Sequence, residues 1–240
     1  MRESERQGLT LNAKKTVCMV MTDESVIPAC RINVKGQLIQ QVNKFCYLGS
    51  YITSNGRSSY DIKTRIAQGK QAFIKLDSIL TSSKISWKTR YRILKSHVWS
   101  VMLYGCESWS LLSCSERKLR SAETWCIRRM LGIVWSDHIS NEAVWRRAAT
   151  LGIKPDLMPT VVRRQLSFIG HLVRSDAIER MILTRDCSTG HRTRGRPRYS
   201  IWDNLKRWLN KDFDQLIIDM CDHRLWRAMI ANAAKQYGTP

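Results

Sequence analysis

No run of about 18 apolar residues occurs in the 240 positions, so the sequence offers no membrane-spanning helix. Negative charge is scarce. Only 20 Asp and Glu stand against 40 Lys and Arg, a formal charge of +20. Such an excess repels itself in a compact chain and draws polyanions, nucleic acid being the commonest and a membrane surface the rival. No Cys-x-x-Cys pair is present. Cys187 and His191 lie close, and His171 is a third donor, but no fourth ligand has suitable spacing, so the better reading is unrelated residues in a loop. The opening segment, Met1-Arg2-Glu3-Ser4-Glu5-Arg6, is polar and mixed in charge, unlike a secretory signal. The expectation is an intracellular protein of nucleus or cytoplasm, not secreted. Its cysteines at 18, 30, 46, 106, 114, 126, 187 and 221 are then reduced thiols in the core. There is no internal repeat.

What is there suffices for a folded chain. Hydrophobic residues make up 43%, enough to build a core. The first 55 residues read as strands. Val17 to Thr22 is one. Ile32 and Val34, then Leu38, Ile39 and Val42, suggest a hairpin turning near Lys35-Gly36. Phe45 to Thr53 is a third strand, stopped by Ser54-Asn55-Gly56. After Gly56 the apolar period becomes helical: Ile62, Ile66, Phe73, Leu76 and Leu80, then Trp87, Tyr91, Leu94, Val98 and Met102, with Gly105 placed to end that helix. Ser113-x-x-Glu116 predicts a capping box opening a helix to about Leu131. Ser140 predicts the start of a short helix ending near Gly152, and Pro155 and Pro159 a break. A further helical stripe runs through Val162, Leu166, Ile169 and Val173. Residues 184–198 are expected as a polar loop, and Trp202, Leu205 and Leu209 begin a final helical region. Net charge is +4 over residues 1–57, +9 over 58–159, +7 over 160–210 and zero beyond, which directs the search for a polyanion path to residues 58–210.

Several segments resemble one family in a consistent order. Gly8-Leu9-Thr10-Leu11-Asn12-Ala13-Lys14-Lys15-Thr16 looks like the segment that follows the catalytic motif in reverse transcriptases of non-LTR (LINE-type) retrotransposons. Phe45-Cys46-Tyr47-Leu48-Gly49-Ser50 resembles the primer-grip hairpin. Tyr104-Gly105-Cys106-Glu107-Ser108-Trp109, Phe168-Ile169-Gly170-His171-Leu172-Val173-Arg174, and Gly195-Arg196-Pro197-Arg198 with Trp202 beyond resemble the thumb and tail of RTE-like endonuclease–reverse transcriptases. The resemblance implies a mainly α fold with a small N-terminal antiparallel β region. Residues 1–56 would be a palm remnant with a primer-grip-like hairpin, 57–180 a helical thumb-like domain, and 181–240 a basic linker and helical tail. The family's Asp-Asp motif would lie upstream of Asn12, and this sequence contains no adjacent aspartates. The magnesium ions that the family clamps between carboxylates are therefore not expected in this chain. The tightest acidic groupings, Asp23-Glu24, Asp212/Asp214 and Asp219/Asp222, read as surface or helix-capping carboxylates.

The expected role is contact with the phosphate backbone of an RNA-template/DNA-primer duplex, without base specificity and without polymerase activity alone. The missing catalytic part of the polymerase is a candidate partner, and a membrane is not. By resemblance, Lys15 matches a lysine near the departing pyrophosphate, and Tyr47, Leu48 and Gly49 form the primer-grip turn. The plainer readings are an exposed lysine beside a strand and a buried hairpin filling core. Arg192, Arg194, Arg196 and Arg198 punctuate a loop suited to phosphate. Arg194-Gly195-Arg196-Pro197-Arg198 also has the form of an AT-hook, which would make the chain an independent reader of A·T-rich minor grooves. A helical protein-interaction scaffold is the third reading. The nine tryptophans fall mostly on helices, where core packing is the expectation.

Overall fold

The computed structural model describes residues 6, 8, 12–13, 15–22, 26–34, 36–175, 178–185 and 200–238. They are mainly helical, with small sheets near the N-terminus. The chain divides into two compact units, Met1–Asp61 and Ile62–Pro240.

Among the described residues of the first unit, three pairs of short strands take the place of one sheet. β1 (Val17–Cys18) lies parallel to β4 (Gln40–Gln41). β2 (Asn33–Val34) and β3 (Gln37–Leu38) pair antiparallel, with Gly36 at φ 81° in their turn. β5 (Lys44–Tyr47) and β6 (Ser50–Thr53) form an antiparallel hairpin, with Lys44 opposite Thr53 and Tyr47 opposite Ser50. Two expectations are corrected here. The β1–β4 pair is parallel rather than antiparallel, and Phe45–Thr53 is not one strand. The chain reverses at Leu48-Gly49, both left-handed, at φ 48° and 86°. Two positive φ values define the tight turn whose twist matches paired strands, usually served by Asn-Gly. The apolar run alone reads through this turn, whereas the primer-grip resemblance implies one at Tyr47-Leu48-Gly49.

The second unit is built on helices whose apolar stripes converge. α1 (Ser59–Lys75) contains the boundary between the units. α2 (Asp77–Leu80) and α3 (Trp87–Ile93) follow. α3 runs into a π-helical segment, Leu94–Trp99, and then α4 (Ser100–Met102). The wider π turn lets both Val98 and Trp99 face the core. Gly105, at φ 71°, ends this run as expected and leads into a 3-10 turn, Cys106–Ser108. α5 (Ser113–Met130) buries Leu119, Ala122, Cys126, Ile127 and Met130 at helical spacing. The expected capping box at Ser113 does not form. Leu112 is the cap residue, no side chain bonds there, and Glu116 instead pairs with Arg207.

A 3-10 turn, Trp135–Asp137, precedes α6 (Asn141–Thr150), which Ser140 does cap, its Oγ accepting from the Ala143 amide at 3.3 Å. α7 (Leu157–Arg174) carries Pro159 inside its first turn, where the missing amide costs nothing. α8 (Ile178–Arg185) follows, and the final helical region resolves into α9 (Ile201–Leu209), α10 (Phe213–Cys221) and α11 (His223–Gln236). One continuous cluster, from Ile62 through Phe73, Leu119 and Leu166 to Trp226 and Ala233, holds these helices together. At roughly 1.5–3 kcal/mol for each large apolar side chain fully buried, that cluster dominates the unit's stability.

Three quoted motifs have a packing reason. Gly170 is the place where α11 meets α7: a Cβ there would lie 2.1 Å from Trp226 Nε1, which donates to the Leu166 carbonyl at 3.0 Å. In the 104–109 segment, the carbonyls of Cys106 and Trp109 accept from the buried Gln165 amide at 2.6 and 2.9 Å. Asn204 also donates to Trp109, at 3.2 Å, so the corner is tied to α7 and α9. Trp202 is buried edge-on against Phe213. The cysteine expectation holds for two residues. Cys106 and Cys126 are buried, and burial, with Glu107 nearby, pushes the Cys106 thiol up to about 12. Cys46, Cys114 and Cys221 are exposed, so the core reading fails for them. No helix among the described residues is long and apolar enough to cross a membrane.

Candidate functional site

The β5–β6 hairpin presents its tip rather than burying it. Tyr47 and Leu48 are 59% and 76% exposed, so neither fills a core. The base of the hairpin is fastened to the start of α1. The buried Asp61 carboxylate accepts from the Tyr51 amide at 2.9 Å, and the Tyr51 and Tyr60 rings meet edge-on. Lys44 Nζ donates to the Tyr60 hydroxyl at 2.9 Å, a contact that raises the lysine's pKa. A fastened base with an exposed aromatic, an exposed apolar side chain and a glycine at its tip makes a small projecting surface. Leu48 is held at a left-handed φ that bulky residues resist, so the tip carries backbone strain.

Lys15 lies elsewhere, in a turn before β1. Its amide donates to the Asn12 carbonyl at 3.1 Å, and Thr16 Oγ1 closes the same turn at 2.8 Å. Its side chain is exposed. Arg192, Arg194, Arg196 and Arg198 lie outside the described residues, as do Cys187, His191 and Asp23-Glu24. Among the described residues, the sequence-predicted ones that lie together are Tyr47, Leu48 and Gly49 at the hairpin tip.

Across the second unit, several exposed cations stand without counter-charges. Lys88, Arg92, Arg117, Lys118, Arg146 and Arg163 are exposed on α3, α5, α6 and α7 and make no ion pair among the described residues. The carboxylates are largely committed to structure. Asp212 and Asp222 cap α10 and α11, as expected of them. Asp219 is buried against Lys211 at 2.5 Å. Asp77 holds Arg129 at 2.9 Å and Asp156 holds Lys95 at 2.8 Å.

Glu123 is the titratable group that sequence reasoning passed over. It sits on the buried face of α5, and one carboxylate oxygen accepts from the Asp156 and Leu157 amides at 2.7 and 3.0 Å, at the start of α7. Burial pushes its pKa up to about 7, against the pull of those two amides. No grouping of three His, Cys, Asp or Glu side chains among the described residues is placed to hold a metal ion.

A second surface was also missed. A pocket of about 710 Å³ opens beside the 3-10 turn, lined by Trp125, Arg128, Arg129, Ile133, Trp135 and His138 among others. Trp135 is 88% exposed, against the expectation that the tryptophans fill core. Its ring lies 5.5 Å from the His138 ring, and His138 is left-handed at φ 49°. Comparison with known protein families, curated proteins and solved structures gives no match to this chain.

Proposed function

We propose that this chain is the nucleic-acid-holding part of a non-LTR retrotransposon reverse transcriptase, the end of the palm with the thumb and tail. It grips the phosphate backbone of an RNA-template/DNA-primer duplex and leaves polymerisation to carboxylates that these residues do not supply. The observation that carries the reading is the set of exposed, unpaired cations on α3, α5, α6 and α7 in a chain of charge +20. Exposed lysine and arginine contact phosphate without reading bases, and each neutralised phosphate releases counterions. The projecting Tyr47-Leu48-Gly49 tip supports the same reading, since glycine lets backbone approach a strand closely. Lys15 and the arginines at 192, 194, 196 and 198 add charge to the same task.

The test is fluorescence anisotropy of the chain on a labelled RNA–DNA hybrid and on A·T-rich and G·C-rich DNA duplexes over a range of salt. All three bind, and log affinity falls steeply with log salt, by about 0.9 for each phosphate neutralised on duplex DNA. Replacing Arg192, Arg194, Arg196 and Arg198 with Ala flattens that slope for every sequence. A loss confined to the A·T-rich duplex would favour groove reading instead. Binding without salt dependence, or none, would remove the proposal and favour a protein-interaction scaffold. Template-dependent nucleotide incorporation above a mock preparation would overturn the non-catalytic part.

A further inference from the structure

The pocket beside Trp135 has a chemistry distinct from a phosphate-tracking surface. An indole almost wholly in water is costly to display and contributes nothing to the core. Its display is built rather than accidental. The Val134 amide donates to Asp137 Oδ2 at 2.9 Å, closing the turn on which Trp135 rides. Gly132 and His138, both left-handed, bracket it at φ 68° and 49°. Trp125, Ile133, Val134 and Ile139 supply apolar lining to the pocket. The only charged side chains in the lining are Arg128 and Arg129, with no carboxylate among them. Both guanidiniums are held in place. Arg128 donates to the Ile139 carbonyl and to Asn141 Oδ1 at 3.0 Å, and Arg129 donates to Asp77 Oδ1 at 2.9 Å. The pocket joins an exposed indole, apolar lining residues and the positive charge of Arg128, whose partners are neutral, beside an Arg129 already paired with Asp77.

We infer that this pocket receives an unpaired nucleobase of single-stranded nucleic acid, stacked on Trp135, with the adjoining phosphate facing Arg128. Stacking on an aromatic face is tolerant of sequence, because every base has a π-face. It requires the base to be out of a duplex, so the pocket takes the strand beyond a template–primer junction rather than the paired region. The charge of the lining argues for this occupant over an apolar peptide, and an acidic peptide would not need the exposed indole. The inference rests on the nucleic-acid reading above and adds a place and a strand state to it.

The experiment uses the full chain, a labelled 12-mer of deoxythymidine and a duplex of the same length, with wild type, W135A and W135F. Trp135 is exposed, so neither variant disturbs the core, and circular dichroism checks this. W135A weakens single-strand binding roughly 5- to 150-fold, the range for losing one stacked base. Duplex affinity stays within about twofold, and the salt slope on the single strand is unchanged, since no charge is removed. W135F, which keeps an aromatic face, recovers most of the loss. If wild type binds the single strand and W135A binds it equally, the inference is wrong while the nucleic-acid reading stands. Equal weakening on duplex and single strand would also overturn it, because base stacking is then not what Trp135 provides. If wild type binds neither, the nucleic-acid reading itself falls.

Discussion

The two units solve the problem of order differently. Among the described residues of Met1–Asp61, Ile39 is the one apolar side chain that is fully buried, and the strand pairs leave Phe45, Tyr47, Leu48 and Ile52 exposed. In Ile62–Pro240 the buried apolar residues form one continuous cluster, cross-tied by the Gln165–Asn204 contacts and by Glu123. Two-stranded pieces have unpaired edges and little to bury, so they rely on local hydrogen bonds that water readily replaces. The helical unit gains from burial, which water cannot replace. The difference teaches where each unit's function can sit. The first offers a strained, projecting tip on a soft support, and the second offers rigid, charged faces.

Hydrogen exchange tests that contrast most strongly. Amides of residues 17–53 should exchange roughly a thousandfold faster than those of residues 87–131, because local opening in a thin sheet costs far less than opening a buried helix. Equal protection would mean that the first unit has found support beyond its own strands, and the comparison would collapse.

Within the helical unit, the packing is tight enough that one methyl group should matter. Gly170→Ala would place a Cβ against the Trp226 indole and lower the unfolding free energy by about 3 kcal/mol, at the upper end for overpacking. Denaturant unfolding of the second unit measures this, while exchange of residues 17–53 should not change. A neutral result would show that α11 shifts easily and that the core is softer than its burial implies.

The buried Glu123 gives the helical unit a pH dependence. Its folded pKa, pushed up to about 7 by burial, lies above that of an unfolded glutamate. Between about pH 4.5 and 7 the folded chain keeps a proton that the unfolded chain has lost, so stability from this group falls as pH rises through that window, by up to roughly 3 kcal/mol. It stays low above the window. Glu123→Gln should flatten the profile, since the amide oxygen still accepts from Asp156 and Leu157 but does not titrate. A profile of unchanged slope in the variant would assign the effect to other groups.

The smallest expected effect is at the hairpin tip. Leu48→Asn places a residue tolerant of φ 48° before Gly49, giving the preferred turn pair, and should firm the hairpin by about 1 kcal/mol. Exchange of the Tyr47 and Ser50 amides would slow. If the tip grips a strand as proposed, affinity for the RNA–DNA hybrid should drop even as the hairpin gains stability. A rise in both would leave Leu48 with no binding role.

Much of the helical unit was legible because periodicity is local. The stripes at Leu119–Met130 and Val162–Val173, the Ser140 cap and the Gly105 stop are all statements about neighbours in sequence. What stayed hidden is what distant residues impose. Glu123 lies among arginines on a helix and reads as surface, until the start of α7 is placed against it. Gly170 could be quoted as part of a family pattern, but its reason is an indole on α11. Leu48-Gly49 lacks the asparagine that announces a tight turn, so the apolar pattern merged two strands, and only the family resemblance implied a hairpin there. Nothing in spacing distinguished Trp135 from the other tryptophans, because exposure is decided by what fails to cover a residue.

The cap on α7 also bears on the order in which the chain takes shape. Asp156 provides no side-chain bond to the first turn, and the oxygen that does so belongs to Glu123, 33 residues earlier. Helix initiation is costly, and here part of its reward arrives only when a segment already made folds back to meet it. During synthesis α5 leaves the ribosome before α7, so its carboxylate is in place when the Asp156 and Leu157 amides emerge. The start of α7 is therefore timed by its neighbour, and the two helices should lock together in one step.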